Sequence, residues 1–329
     1  MRRRGLLTAA GLALAAAAPR GASAQATRWV MASAYPDGNY HTQNLRQFIG
    51  EVEAATGGRL AVQLHSNASL LPMPQIKRAI QTGQIQIGEI LLAAYGNEDP
   101  LFEMDFIPFL ADTWDKARAL NEATEPLLRA RFARQGMTLL YVAQWPSQAF
   151  YSRTPIERVE DLRGTRFRAQ STTLARLAEL VGATPVTVQQ AEVPQAFSAG
   201  IINVMITSAQ TGVDTSAWDF TRYALDMGMM HVRNAVLVNS RAFAALDEAT
   251  RTALREAAAR AQARAPGLAQ ASERTQTERL RAQGMVTPEP KPEFAAAMRA
   301  LGERMAEEWA QKAGPEGREA LERYRAMVR

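Results

Sequence analysis

Asp161-Leu162-Arg163-Gly164-Thr165-Arg166-Phe167-Arg168-Ala169-Gln170-Ser171 packs a turn, a strand and the approach to a helix into one short stretch. The acidic turn passes through Gly164. Phe167 and Ala169 then alternate with Arg166, Arg168 and Gln170, which reads as a strand with one apolar face. Arg168 stands near the strand's end, and the polar run Gln170 to Thr173 leads to a helical pattern from about Leu174. A guanidinium fixed beside a helix start suits a carboxylate: it offers a planar two-point donor, and the free amides of the helix start favour negative charge.

Outward from this stretch, strands and helices alternate. Thr27 to Ser33 reads as a strand, Ala34 to Asn39 as a loop, and Tyr40 to Ala55 as a helix stopped by Gly57-Gly58. Leu60, Val62 and Leu64 alternate as a strand, a helix over Pro72 to Thr82 follows, and Ile85 to Ile90 is a strand again. The pattern predicts an α/β layered sheet. Ligands of such sheets sit beyond the carboxyl ends of the strands, here the loops Tyr35–Asn39 and Leu91–Asn97. Neither loop has a phosphate-cradling glycine run, which argues against a nucleotide.

A helix near 113–134 and a strand from Met137 to Trp145 come next, and Trp145-Pro146-Ser147 is the expected first crossing between lobes. Downstream of Arg168, a helix over 174–181 and a return at Thr187-Val188 precede the apolar strand Ile201 to Ile206. That strand delivers Thr207, Ser208, Ala209, Gln210 and Thr211 at its carboxyl end. Trp218, Phe220 and Tyr223 follow at helical spacing. Phe220 and Tyr223 read as core, and Trp218 as able to reach a ligand. Asn234 to Asn239 is the expected second crossing. From Asp247 to Gln283 one helix is predicted, capped by Asp247, stopped by Gly284 and about 50 Å long at 1.5 Å per residue. Pro266 is a candidate bend. Its apolar stripe is too alanine-rich for a coiled coil. Two helices split near Gly314-Pro315 close the chain.

Charge sits mostly at one end. The first 24 residues hold Arg2, Arg3, Arg4 and Arg20 and no acid, and subtracting those four from the formal +5 leaves +1. No basic-patch argument for nucleic acid survives that subtraction. Arg2–Arg4, the weakly apolar Gly5 to Ala18, and Ala22-Ser23-Ala24 before Gln25 read as a cleaved signal peptide over 1–24. The paired arginines resemble a twin-arginine export signal, with Sec export the alternative. The mature protein is therefore expected in a bacterial periplasm. Zero cysteines excludes disulfides and thiolate chemistry. His41, His65 and His231 stand in three separate elements without metal-ligand spacing, and no nucleophile elbow or paired glutamates accompany them.

"DLRGTRFRAQ" resembles the "DLKGxKxR" stretch of the periplasmic solute-binding subunits of TRAP transporters, the DctP-type family, and the resemblance extends over the mature chain. It implies a two-lobed α/β periplasmic binding protein, type II-like, with discontinuous domains and a long helix across both lobes. Lobe I is expected over 25–145 plus 234–272, and lobe II over 146–233 plus 273–329. The resemblance further implies that Arg168 pairs with a substrate carboxylate. Thr207 stands where the family often has a ligand-binding Asn, within a segment that departs from the usual "VDGQENP". Gln148 falls where some sialic-acid-binding relatives place a second Arg, so two strong cationic clamps are not expected. Thr207, Ser208, Asn234, Gln170 and Ser171 are the expected polar contacts. Asn39 joins them, and Trp145, Phe150, Tyr35 and Trp218 near the cleft favour a monocarboxylate with an apolar or aromatic body over a C4-dicarboxylate. The expected partners are a small organic acid and the TRAP membrane permease, with no cofactor, metal or nucleic acid, and the expected state is a monomer. Two alternatives are an ABC-type binding protein, which should lack the straddling helix, and a periplasmic hydrolase or lyase, for which no catalytic constellation stands in the sequence.

Overall fold

The computed structural model describes residues 26–329, so the expected leader lies outside the described residues. Two five-stranded sheets organise the rest. Sheet one runs β2-β1-β3-β10-β4, from β1 (Thr27–Ala32), β2 (Leu60–His65), β3 (Ile87–Leu91), β4 (Met137–Gln144) and β10 (Arg233–Asn239). Sheet two runs β7-β6-β8-β5-β9, from β5 (Gln148–Ser152), β6 (Arg166–Arg168), β7 (Thr184–Val186), β8 (Val204–Ser208) and β9 (Tyr223–Asp226).

The two sheets share one plan. In each, four strands run in one direction, and the fourth in the order is an antiparallel strand whose chain arrives from the other sheet. β10 fills that place in sheet one and β5 in sheet two. The chain passes from sheet one to sheet two through Trp145-Pro146-Ser147 and returns through Met227 to Val232. This is the two-lobed α/β architecture expected from the sequence.

Packing follows the strand alternation. Sheet one lies between α1 (Tyr40–Thr56) with α8 (Glu248–Ala282) on one face and α2 (Met73–Thr82) with α3 (Trp114–Arg134) on the other. In sheet two, neighbouring Phe150 and Tyr151 point to opposite faces. Phe150 joins Phe167, α4 (Thr172–Leu180) and α9 (Pro292–Lys312), while Tyr151 joins α5 (Val193–Ser198) and α6 (Ala209–Asp214). The short α7 (Ser240–Ala244) leads into α8, and α10 (Gly314–Met327) ends the chain.

α8 is one unbroken helix of 35 residues with Pro266 inside it, capped by Asp247 accepting from Thr250 N. Its first half buries Leu254, Ala257, Ala258, Ala261 and Ala265 against sheet one, and its far end buries Leu280 under sheet two. Alanines let the helix lie close to its neighbours, which an isolated apolar stripe of large residues would not.

α6 starts directly after β8, so Ala209, Gln210 and Thr211 open a helix. One expectation changes. The helical spacing of Trp218, Phe220 and Tyr223 is not a helix. A single 3-10 turn spans Ala217–Asp219, and Tyr223 starts β9, paired with Ser152. The apolar connector after Asp99 is a 3-10 turn, Pro100–Phe106, capped by Asp99 and buried throughout from Leu101.

Candidate functional site

A cavity of about 360 Å³ opens where the carboxyl ends of the parallel strands of both sheets converge. β6 and β8 of sheet two bring Arg168 and Thr207, while the segments after β1 and β3 of sheet one bring Tyr35, Leu91 and Ala94. Its two sides differ in chemistry. Ala34, Met73, Leu91 and Phe106 make an apolar wall, and Gln148, Arg168, Gln170, Thr207 and Thr211 make a polar one.

The geometry of Arg168 begins two turns upstream. Asp161 Oδ2 accepts from the amides of Glu157 and Arg158, closing the acidic turn. Gly164 adopts φ 74°, a conformation costly for side-chain-bearing residues, and its N donates to Gly182 O at 2.8 Å. β6 then buries Phe167 in the core and carries Arg168 into the cavity wall, only 4% exposed. Its Nε donates to Val188 O at 2.9 Å, which fixes the plane of the guanidinium. Among the described residues no carboxylate forms an ion pair with it. Burial pulls its pKa down to about 10, opposed at a distance by the Glu192 carboxylate, so it remains cationic at neutral pH. A buried cation in this state is strongly stabilised by an anion that brings its own charge and acceptors.

Around it, Gln148 Nε2 donates to Pro146 O at 2.7 Å and Gln170 Nε2 to Ile206 O at 3.4 Å. Tyr35 and Trp145 meet edge-to-face, ring centroids 5.0 Å apart. Burial, helped by the nearby Glu89, holds the Tyr35 phenol well above its ordinary range, so it stays a neutral donor.

Of the eleven expected site residues, Arg168, Thr207, Gln148, Gln170, Trp145 and Tyr35 line this cavity. The others stand elsewhere. Asn39, Ser171 and Ser208 are helix caps, accepting from His41 N, Leu174 N and Thr211 N respectively. Asn234 lies fully buried behind the cavity wall, and Trp218 packs half-buried against the sheet-two core. Unforeseen lining residues include Met73, Phe106, Thr211 and the segment Thr187–Glu192 after β7. The carboxyl-end rule that pointed to Leu91–Asn97 would have reached the latter segment too.

Among the described residues no cluster of His, Asp or Glu could hold a metal ion, and no helix is long and apolar enough to cross a membrane.

The family model for bacterial extracellular solute-binding protein, family 7 (DctP) matches residues 31–312. DctP7 of Bordetella pertussis, an extracytoplasmic solute receptor binding pyroglutamic acid, superposes with a TM-score of 0.90 at 45% identity, over 91% of this chain and 100% of that one. A marine metagenome TRAP solute-binding protein specific for pyroglutamate gives 0.89 at 31% identity, over 92% and 99%. The ectoine/5-hydroxyectoine-binding periplasmic protein UehA of Ruegeria pomeroyi is 25% identical over 71% of this chain and 69% of its own length. Matches to three curated relatives span from 55% to 69% of their lengths. With the family model covering most of the chain and two receptors superposing at TM-scores of about 0.9, the chain belongs to bacterial extracellular solute-binding protein family 7, the DctP-type solute receptors of TRAP transporters.

Proposed function

We propose that this protein captures pyroglutamate, or a monocarboxylate of similar size and ring shape, and presents it to a TRAP permease from the periplasm. The observation that carries this reading is Arg168, a buried cation without an ion-pair partner among the described residues, facing a cavity whose other wall is apolar. A lactam acid has one carboxylate for the guanidinium, one N–H and one carbonyl for the Gln148, Gln170 and Thr207 side chains, and a compact ring for the Tyr35–Trp145 corner. Arg168 is the sole cationic side chain among the described cavity residues, which favours a monoanion over a C4-dicarboxylate. The solved relatives at 45% and 31% identity that bind pyroglutamate support the same ligand.

The lobes in this reading are 26–145 with 234–272, and 146–233 with 273–329, following the two sheets to within the first residue of β10, and the two ends of α8. The protein acts as a monomeric carrier without turnover of its ligand. Thermal-shift titration is the test. A ligand at about 100 times its Kd adds about 2.7 kcal/mol to stability, several degrees in Tm for a protein of this size. Pyroglutamate should give that shift and its decarboxylated analogue 2-pyrrolidinone none. Equal shifts from both compounds would remove Arg168 from the reading, and no shift from pyroglutamate would remove the ligand.

A further inference from the structure

We propose that Asn234 is the positioning residue of the cavity: it sets the two aromatic rings that read the body of the ligand, and touches no ligand itself. The inference takes its affinity readout from the pyroglutamate reading above. Asn234 stands on β10, fully buried, and is absent from the cavity wall. Its Oδ1 accepts from Trp145 Nε1 at 2.8 Å and from Tyr35 OH at 3.2 Å, and its Nδ2 donates to Glu89 Oε1 at 3.0 Å. Trp145 comes from the crossing after β4 and Tyr35 from the loop after β1, so one oxygen ties together two elements far apart in sequence.

The amide is the group this position requires. Both aromatic partners are donors and need an acceptor, while Glu89 is an acceptor and needs a donor. An aspartate would set two carboxylates against each other, and an apolar residue would leave the Tyr35 hydroxyl and the Trp145 indole N–H buried without partners and remove one donor from Glu89. Glu89 is in turn held on its far side. Ser33 Oγ donates to its Oε2 at 2.7 Å, and His41 Nδ1 stands 3.2 Å from its Oε1. The chain of bonds therefore runs from Ser33, just past β1, and His41 of α1 through β3 to β10, and ends on the two rings. His41 also packs on Trp145 with ring centroids 4.3 Å apart, closing the space into which the indole could turn. Arg168 reads charge, whereas the Tyr35–Trp145 corner, its planes 65° apart, reads shape.

The test has two arms. In ligand-free protein, the indole N–H signal of Trp145, identified among the five tryptophans by its loss in Trp145→Phe, reports its bond to Asn234. Tyr35→Phe removes the competitor for the shared oxygen and should move that signal downfield. A signal that does not move overturns the proposal without any substitution at Asn234. In the second arm, Asn234→Ala should weaken pyroglutamate binding by about tenfold or more in the parent, but by less than about threefold in the Tyr35→Phe/Trp145→Phe background. Equal losses in both backgrounds overturn the proposal. Should the parent not bind pyroglutamate, the ligand reading has failed and the indole signal alone decides the role of Asn234. The same signal decides if Asn234→Ala does not fold.

Discussion

Asn39 Nδ2 donates to Asp214 Oδ2 at 2.8 Å, joining the start of α1 on sheet one to the end of α6 on sheet two. The other Asp214 oxygen accepts from Gln210 Nε2, and Gln210 Oε1 accepts from Ser272 Oγ of α8. Burial pushes the Asp214 carboxyl up, and the bonds from Asn39 and Gln210 pull the other way. The tie runs beside Thr211, a cavity residue, and links the two sheets there. Asn39→Ala should remove about 1–2 kcal/mol of it, allowing for partial burial, or about five- to thirty-fold in affinity. Stopped-flow kinetics should place the loss in the release rate, with association within about twofold. A loss confined to association would count against the tie.

Arg168→Ala should be the most damaging single change to binding. Removing one partner of a buried, hydrogen-bonded ion pair costs about 2–5 kcal/mol, about 30- to 4,000-fold. Arg168→Lys should recover only part, because an ammonium cannot reproduce the planar fork. Arg166, exposed at the outer end of β6, and Arg163 in the preceding turn are the controls. Their alanine variants should stay within about tenfold of the parent, since exposed pairs contribute about 0–1 kcal/mol. Calorimetric titration with pyroglutamate compares all four.

Gly96 allows a carboxylate to cap α4. Glu103 Oε1 accepts from Thr173 N at 2.9 Å and Oε2 from Thr172 Oγ1 at 2.6 Å, at the start of the helix that follows Arg168. A Cβ on Gly96 would lie 1.9 Å from the Glu103 Cγ and Cδ, although Gly96 itself has an ordinary helical φ of −64°. Gly96→Ala should therefore destabilise by about 1–3 kcal/mol through displacement of Glu103 alone. In a Glu103→Ala background the same substitution should be nearly neutral. Urea denaturation of the four proteins measures both numbers.

Acid should reveal the pair between α4 and α9. Hydrogen bonds from Arg176, then Arg304, hold the Glu308 carboxyl down to about 2. A depressed carboxylate contributes its stability above its unfolded pKa of about 4.3 and loses it as pH falls through the folded value. The groups are partly exposed, so the contribution is about 1 kcal/mol or less. Glu308→Gln should lower Tm slightly at pH 7, and the difference from the parent should shrink between about pH 4.5 and 2. A Tm difference that persists unchanged at pH 2 would point to packing instead of charge.

Periodicity and stop signals were legible, and so the α/β alternation, α8 and the first crossing could be read from the chain, while the second runs through Met227 to Val232, just ahead of the expected Asn234–Asn239, which is part of β10 in sheet one. Polar residues were harder. Asn39, Ser171 and Ser208 each precede a helix, at Tyr40, Thr172 and Ala209, and their side chains satisfy the free amides of that helix. A cap and a ligand contact require the same residue types, so composition at a strand's carboxyl end cannot separate them. Capping geometry could have done so, since each stands immediately before a helical run. Tyr223 was misread because three aromatics three residues or so apart mimic a helix face. Its place in β9 depends on Ser152 and on a bridge to Val286, partners far away in the chain. Asn234 was recognised as belonging to the site region, yet only the fold shows that its bonds go to the wall's rings and not into the cavity.

Pro266 makes α8 a beam with a fulcrum. Lacking an amide hydrogen, it leaves the carbonyl of Gln262 without its helical partner, so flexing there breaks one bond fewer than anywhere else along the helix. The stretch before it is fastened to sheet one and the stretch after it reaches Leu280 under sheet two. From Pro266 to Ala282 the arm is about 24 Å long, so a bend of only about 10° swings its tip by about 4 Å. The far end of α8 can thus shift against sheet one with the bend concentrated at a single residue, at the cost of no further helical hydrogen bond.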